Sequence, residues 1–388
     1  MTVRAILLAS LLGGCGNAAR QAPPQIALPF PSDTSRAEFV RPGVVHRFIY
    51  APSGPWAIHV LDVDLRQCVS AVAVKGAKGA VGREKTSSLL RGLANNSEVI
   101  GGVNADFFLF TPPGVPTGAL VTNSKIVTGP GPQPVFFVDP SGRPGIATLD
   151  VQGEVTIGSR RFEIDGWNRA APRGLAVFDS SWGVTTDTAT SAIEVVVMRA
   201  RNAQQVSAVD TLPKGVTIPA NGSVLIAGRN APDSIRAALR ALRPIETIRA
   251  SVRLSPTHPR EAVGGRPVLA RDSVIGPTVD TEGQPGFANT RHPRTAVGIV
   301  GRGSRLLLVT VDGRQPNYSA GMTLRELAHL MLALGARDAL NLDGGGSTTF
   351  VYADPDSARA LRVGNRPSDP TGERPVGNAL AIVASCSR

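Results

Sequence analysis

The sequence predicts an α+β fold: a single domain of mixed β-sheet with few helices, following an N-terminal signal and tether. Three observations lead there. The 388 residues include 42 glycines and 31 prolines, too many turn formers for a helical bundle. Short apolar runs recur between these turns, several of them alternating as half-buried strands do. Apolar residues make up 42% and charged residues 18%, enough to build a large core and to exclude bulk disorder.

The N-terminus comes first. Arg4 precedes an apolar run, Ala5 to Leu12, too short to cross a bilayer as a helix but suited to the core of an export signal. Leu12-Gly13-Gly14-Cys15 resembles a bacterial lipobox, in which the cysteine is lipidated; a plain signal peptide cut nearby is the alternative. Residues 1–14 are read as a lipoprotein-type signal, Cys15 as the lipidation site, and 15–44 as a Pro-rich polar tether (Pro23, Pro24, Pro29, Pro31). The domain is expected over 45–386. The expected location is the bacterial cell envelope, lipid-anchored, in the periplasm or at the cell surface. With Cys15 lipidated, Cys68 and Cys386 remain. An even pair in an oxidising compartment forms a disulfide, or else packs as two buried thiols.

Along the body, Ala57 to Leu65 alternates, placing Asp62 and Asp64 on a solvated face rather than at a metal. Ser87 to Asn95 has helical spacing and a left-handed stop expected at Asn95-Asn96. Strands are expected at Val99–Val103, Val135–Val138, Ala192–Met198, Val224–Ala227, Leu306–Val311 and Ala379–Ala384. A helix starts at an Asp233 cap and closes before Pro244. The clearest helix runs from Thr323 to Leu334, with Gly335 as its stop. Thr323 and Glu326 have capping-box spacing, which assigns Glu326 to the helix end rather than to catalysis.

Formal charge is +11, with 41 Lys and Arg against 30 Asp and Glu. Only five of the basic residues are lysines, and they form no stripe or zinc-finger pattern. Nucleic acid is therefore not expected as a partner. Scattered arginine suits an anionic ligand, because the guanidinium fork matches phosphate and carboxylate.

Four polar, Gly-rich clusters follow apolar strands: Gly101–Phe108; Arg291–Gly298; Asp312-Gly313-Arg314 joined to Asn341–Thr349; and Pro367–Asp369 with Glu373–Asn378. Consecutive glycines expose backbone N–H groups and allow close approach of a ligand. Together these clusters read as a pocket for an anionic polyhydroxyl ligand. Asp343 is the first catalytic candidate, since it ends a buried strand beside Gly344–Gly346. A turn aspartate that merely ties that loop is the alternative. Asp312 is second and Asp106 a support. Expected substrate-binding residues are Asn104, Arg294, Thr295, Arg314, Gly344, Gly345, Ser347, Thr348, Glu373, Arg374 and Asn378. At least two of Arg294, Arg314 and Arg374 should converge on the anionic group of that ligand, which the resemblance described next makes a phosphodiester. No metal-ligand spacing is present, and no metal or cofactor is expected.

These clusters resemble the phosphodiester glycosidase family, most specifically through Asn-Leu-Asp-Gly-Gly-Gly-Ser at 341–347 with Asp312-Gly313-Arg314 upstream. Trp167–Arg169, Ile218–Gly222 and Gly264–Pro267 extend the resemblance through the body; bacterial relatives are commonly labelled exopolysaccharide-related. Ala105-Asp106 departs from it, since many members have two small residues there. The resemblance implies a glycoside hydrolase that splits the sugar–phosphate bond of a sugar-1-phosphodiester, releasing free sugar and a phosphomonoester. Its partners would be that substrate or an envelope polysaccharide, and the membrane through the lipid. The alternatives are a non-catalytic polysaccharide-binding protein and a phosphodiesterase that cleaves the P–O bond.

Overall fold

The computed structural model describes residue 28 and residues 30–386, apart from 77–78, 187–190, 201–202, 211–214, 285 and 358–359. Cys15 and the signal lie outside the described residues. The tether reading stops short of its expected boundary. Thr34–Arg41 is already a strand, paired with Val44–Ala51.

Strand dominates, and among the described residues pairing is antiparallel except where Gly166–Trp167 runs parallel to Leu175–Asp179. The site depends on two of the four sheets that these residues form. The first has eight strands in the order Thr34–Arg41, Val44–Ala51, Trp56–Asp64, Arg305–Val311, Arg294–Val300, Ala336–Asn341, Val268–Arg271 and Val274–Ile275. The second has five: Leu361–Val363, Phe350–Ala353, Val99–Asn104, Asn378–Ala384 and Val69–Lys75.

Alternation along these strands builds the layers. Leu61, Val63, Leu306 and Leu308 of the first sheet share one core with Phe350, Leu380 and Ile382 of the second. The opposite face of the first sheet, with Ile58, Val60, Leu307 and Val309, packs on helix α3 (Leu324–Ala333). The opposite face of the second, with Val351, Ala379 and Ala381, packs on α1 (Thr86–Ala94). The result is helix, sheet, sheet, helix. Because both faces of the first sheet are covered, Trp56–Val63 is buried throughout rather than alternating. Asp62 is correspondingly not solvated. It is 6% exposed and bonded by both oxygens to Arg305.

Two further sheets flank this sandwich. One is made of Lys125–Thr128, Leu120–Thr122, Glu261–Gly264, Val135–Val138 and Pro144–Ala147. The other is an eight-stranded sheet from residues between 150 and 255 that carries α2 (Asp233–Ala241). Ala176, Phe178, Val224 and Ile226 of the latter enter the central core.

Helix ends follow local chemistry. The Thr323 hydroxyl accepts from the Glu326 N–H and the Glu326 carboxylate from the Thr323 N–H, a complete capping box. Gly335 ends α3 at φ +92°. Asn95 is right-handed, so the expected left-handed stop of α1 is absent; a tight turn from Asn96 N–H to Leu93 O closes it. Asp233 is the first residue of α2 and pairs with Arg236 instead of capping. Cys68 and Cys386 are joined by a disulfide with Cα atoms 5.1 Å apart. They follow directly from the pairing of Val69–Lys75 with Asn378–Ala384. No helix among the described residues is long and apolar enough to cross a membrane.

Candidate active site

The two central sheets present their strand ends at one place. Ala336–Asn341 leaves the first sheet, and the chain crosses through 342–349 to enter the second at Phe350. Asp343 sits in that crossing. Its backbone is clamped from both sides: its N–H donates to Ala105 O at 2.8 Å, and Asn104 Nδ2 donates to its carbonyl at 2.6 Å. Asn104 Oδ1 accepts from the Thr295 hydroxyl (2.8 Å) and the Thr349 N–H (3.1 Å), and Thr295 also meets Thr348 Oγ1 at 3.4 Å. Asn104, Thr295, Thr348, Ser347 and Asn378 are each 1% exposed or less. They form the floor that fixes Asp343. Water does not reach them, so direct substrate contact, expected from their types, is not what their geometry provides.

The glycines also act differently from expectation. The Gly344 N–H is taken by Asp343 Oδ1 (2.9 Å) and the Gly345 N–H by Pro293 O (2.9 Å). Their value is close approach. A side chain on Gly344 would meet Pro293 O, and one on Gly346 would meet Asp369 and Arg374; Gly345 has φ +60° and lies under the Arg314 guanidinium. The turn is thus pressed between arginines, and Cβ atoms would push them away.

Those arginines differ in what they have left to offer. Arg374 is held by both oxygens of Asp369 at 2.8 and 3.0 Å. Arg294 is 1% exposed; its Nε donates to Met322 O and its Nη2 to Phe287 O and Thr290 O. Burial and the neighbouring Arg314 charge lower it to about 10, so it stays charged at neutral pH. Neither Arg294 nor the exposed Arg314 has a carboxylate within salt-bridge distance among the described residues. His292 lies beside both, its pKa lowered by burial and by the two arginines, and its Nδ1 is unpartnered. Arg266, not singled out from the sequence, pairs with Glu282, covers Phe107 and acts on Asp343. Its signal was Gly264-Gly265-Arg266-Pro267.

Burial raises the Asp343 carboxyl to about 6, against the Ser347 hydroxyl, the Gly344 N–H and the Arg374 and Arg266 charges. Asp312 is likewise pushed up by burial to about 6, but both its oxygens are occupied, by Asn365 Nδ2 and the Arg366 N–H. Asp106, raised to about 7 by burial, accepts from Gly118 N–H, Gln133 Nε2 and Thr117 Oγ1. Each of these two is 1% exposed and ties a loop to the sheets. Glu373 does not reach the site: it binds the N–H and hydroxyl of Ser87 at the start of α1, where Lys85 supplies no side-chain cap. Among the described residues, no group of three His, Cys, Asp or Glu is placed to hold a metal.

Unpartnered buried polar atoms collect around this turn: Arg266 Nε, His292 Nδ1, Asn341 Oδ1, Ser368 Oγ and Asn378 Nδ2. Buried polar groups are ordinarily satisfied, so these atoms are exceptions that the fold leaves covered around the turn. A half-buried carboxyl on a turn pressed between guanidinium groups, over a rigid floor, is an arrangement that can hold an anionic ligand. The chain belongs to the phosphodiester glycosidase family, whose model matches residues 189–383.

Bovine N-acetylglucosamine-1-phosphodiester alpha-N-acetylglucosaminidase is 45% identical over 65 residues, 17% of this chain and 12% of the bovine protein. An SPbeta prophage-derived protein of Bacillus subtilis is 43% identical over 60 residues, 16% of this chain and 9% of its own length. The matches therefore span only about a tenth of either relative. Among solved structures, a Synechocystis protein superposes with a TM-score of 0.74 at 22% identity, covering 90% of this chain and 64% of that one. A Burkholderia pseudomallei protein described as exported gives 0.66 at 26%, covering 85% and 74%.

Proposed function

We propose that this protein hydrolyses sugar-1-phosphodiesters at Asp343, breaking the bond between the anomeric carbon and the bridging oxygen. The observation that carries the reading is an ionisable carboxyl, Asp343, under the charges of Arg374 and Arg266, on a turn whose Gly345 lies beneath Arg314, an exposed guanidinium with no carboxylate partner among the described residues. A phosphodiester anion supplies that missing charge. Arg314, exposed over Gly345, takes the phosphate; Arg294, 1% exposed with Nε and Nη2 spent on carbonyls, lies behind it and supplies charge without contact.

The leaving group is a phosphate that already carries stabilised charge, so the arginines take over much of what a general acid does for an alkoxide. Asp343, ionised above about pH 6, stabilises the oxocarbenium-like centre or removes a proton from the attacking water. Water oxygen goes to the sugar, and the bridging oxygen leaves with the phosphomonoester. Asp312 and Asp106 hold the surrounding loops. Hydrolysis of a simple sugar-1-phosphodiester in oxygen-18 water tests this. Label in the sugar is expected; label in the phosphate would mean P–O cleavage, and no turnover across a panel of such esters would leave only a binding protein.

We also propose that the protein is exported and lipid-anchored at Cys15, acting on an envelope glycan or its precursors. The signal-like Ala5–Leu12 run supports this, as does a disulfide of the kind that persists outside the reducing cytosol. Cys15→Ser should move the protein from the membrane to the soluble fraction. Unchanged fractionation would end the lipoprotein reading.

A further inference from the structure

Seven large apolar side chains are exposed among the described residues, and three of them gather at one place. Two are consecutive: Leu109 is 39% and Phe110 73% exposed. Their loop leaves strand Val99–Asn104 beside the Asp343 turn, whose N–H bonds Ala105 O, and returns at Val115. Leu109 N–H donates to Val115 O and Gly114 N–H to Leu109 O, both at 2.8 Å, so residues 110–113 form a closed tip.

A second segment, 80–85, lies along this loop. Gly82 N–H donates to Pro113 O at 2.7 Å, and a side chain on Gly114 would collide with Gly82 O, so the two backbones run in close contact. On its other flank Ala80 N–H donates to Ser181 O (2.7 Å) and Val81 N–H to Trp182 O (3.0 Å). That sets Val81 beside Gly183 and the third exposed residue, Val184, 77% exposed. Three hydrogen-bonded segments thus carry Phe110, Val81 and Val184 side by side. Exposed apolar groups gathered in this way mark a contact surface.

The middle segment is also basic. Arg83 and Lys85 are exposed, and neither has a carboxylate within salt-bridge distance among the described residues. The Arg83 guanidinium lies 6.0 Å from the centre of the Phe108 ring, and that ring lies 5.8 Å from Phe110, so charge and apolar tip adjoin. Glu84, between the two cations, turns its carboxylate back toward Gly76 and Lys75. An apolar tip beside free cations matches the boundary between acyl chains and anionic headgroups. A protein partner fits less well, because a stable interface buries about 800 Å² on each side, more than one loop tip and a valine supply.

We propose that this surface docks on an anionic lipid bilayer, with Leu109 and Phe110 inserted among the headgroups and Arg83 and Lys85 on their phosphates. The contact is distinct from any lipid on Cys15 and from hydrolysis. It holds the Asp343 turn one loop's length from the bilayer.

The test is tryptophan fluorescence on the full chain carrying Cys15→Ser, which has no acyl chain of its own, with vesicles of phosphatidylglycerol and phosphatidylcholine in equal parts. Emission from Phe110→Trp, less that of the three native tryptophans, should shift to the blue and be quenched by lipid brominated on its acyl chains. Val274→Trp, at a site 67% exposed on the edge of the first sheet, should not be quenched. Adding Arg83→Gln and Lys85→Gln should raise the lipid needed for half-maximal quenching about tenfold. Absence of quenching at Phe110→Trp with lipid in excess, or equal quenching at Val274→Trp, overturns the proposal. So does a blue shift that needs no lipid and grows with protein concentration, which would assign the surface to a second copy of the chain. No substrate is present, so each outcome stands whether or not Asp343 hydrolyses a phosphodiester.

Discussion

Asp343→Asn should make the protein more stable and nearly inactive at the same time. Asparagine keeps the Oδ1 that accepts from the Gly344 N–H and the backbone clamp to Ala105 and Asn104, so the turn survives. What goes is the charge. Burial holds the carboxyl at about 6 instead of 3.8. A carboxyl raised in the fold keeps its proton where the unfolded chain has lost it, so stability falls as pH rises from about 4 to 6. Above that window the ionised fold carries a penalty of up to about 3 kcal/mol, reduced by whatever solvent reaches the group. The variant should recover that amount at pH 7 and gain nothing near pH 3.5. Turnover should drop at least about a hundredfold, the low end for a positioned acid–base group. Wild-type kcat/KM should itself decline about tenfold per pH unit below 6, while the fold grows firmer. Chemical denaturation of both proteins at pH 3.5, 5 and 7, beside hydrolysis rates, reads all of this. Near-normal turnover, or an Asn variant destabilised at pH 7, would reduce Asp343 to a turn residue.

Three further outcomes follow from the contacts. Arg314→Lys should leave thermal stability unchanged and raise KM about tenfold, since the planar fork over Gly345 is lost; an unchanged KM would remove Arg314 from phosphate binding. Glu373→Gln should cost about 0.5–2 kcal/mol by weakening the cap on α1, with activity retained; a collapse in turnover would return Glu373 to the site. Reduction of Cys68–Cys386, which closes a loop of 318 residues, should cost at most about 5 kcal/mol on the chain-entropy model. Two free thiols in the unfolded, unreduced mature protein would contradict the bond.

The sequence made the strand ends visible but not the direction in which each polar group faces. Asn341–Ser347 stood out because glycine repeats follow an apolar strand, and the capping box of α3 because its two partners are three residues apart. Asn104 looked like a ligand contact for the same reason as Asp343. Only the approach of Thr295 and Thr349, 191 and 245 residues away in sequence, turns it into a floor. Glu373 is a cap for a helix 286 residues earlier, which no local spacing announces. Asp62 read as solvated because one strand does not reveal that its sheet is covered on both faces.

The position of the last strand has a bearing on how the molecule is made. Asn378–Ala384 is not an edge: it lies between Val99–Asn104 and Val69–Lys75. Until Asn378–Ala384 is in place, those two early strands have no mate on their facing sides and present open hydrogen-bonding edges. The contacts that close the second sheet are among the most distant in the chain, the kind that form slowly. Folding of the central sandwich therefore waits until residues 378–384 are available, and a chain stopped at residue 377 is an aggregation-prone intermediate rather than a smaller folded protein.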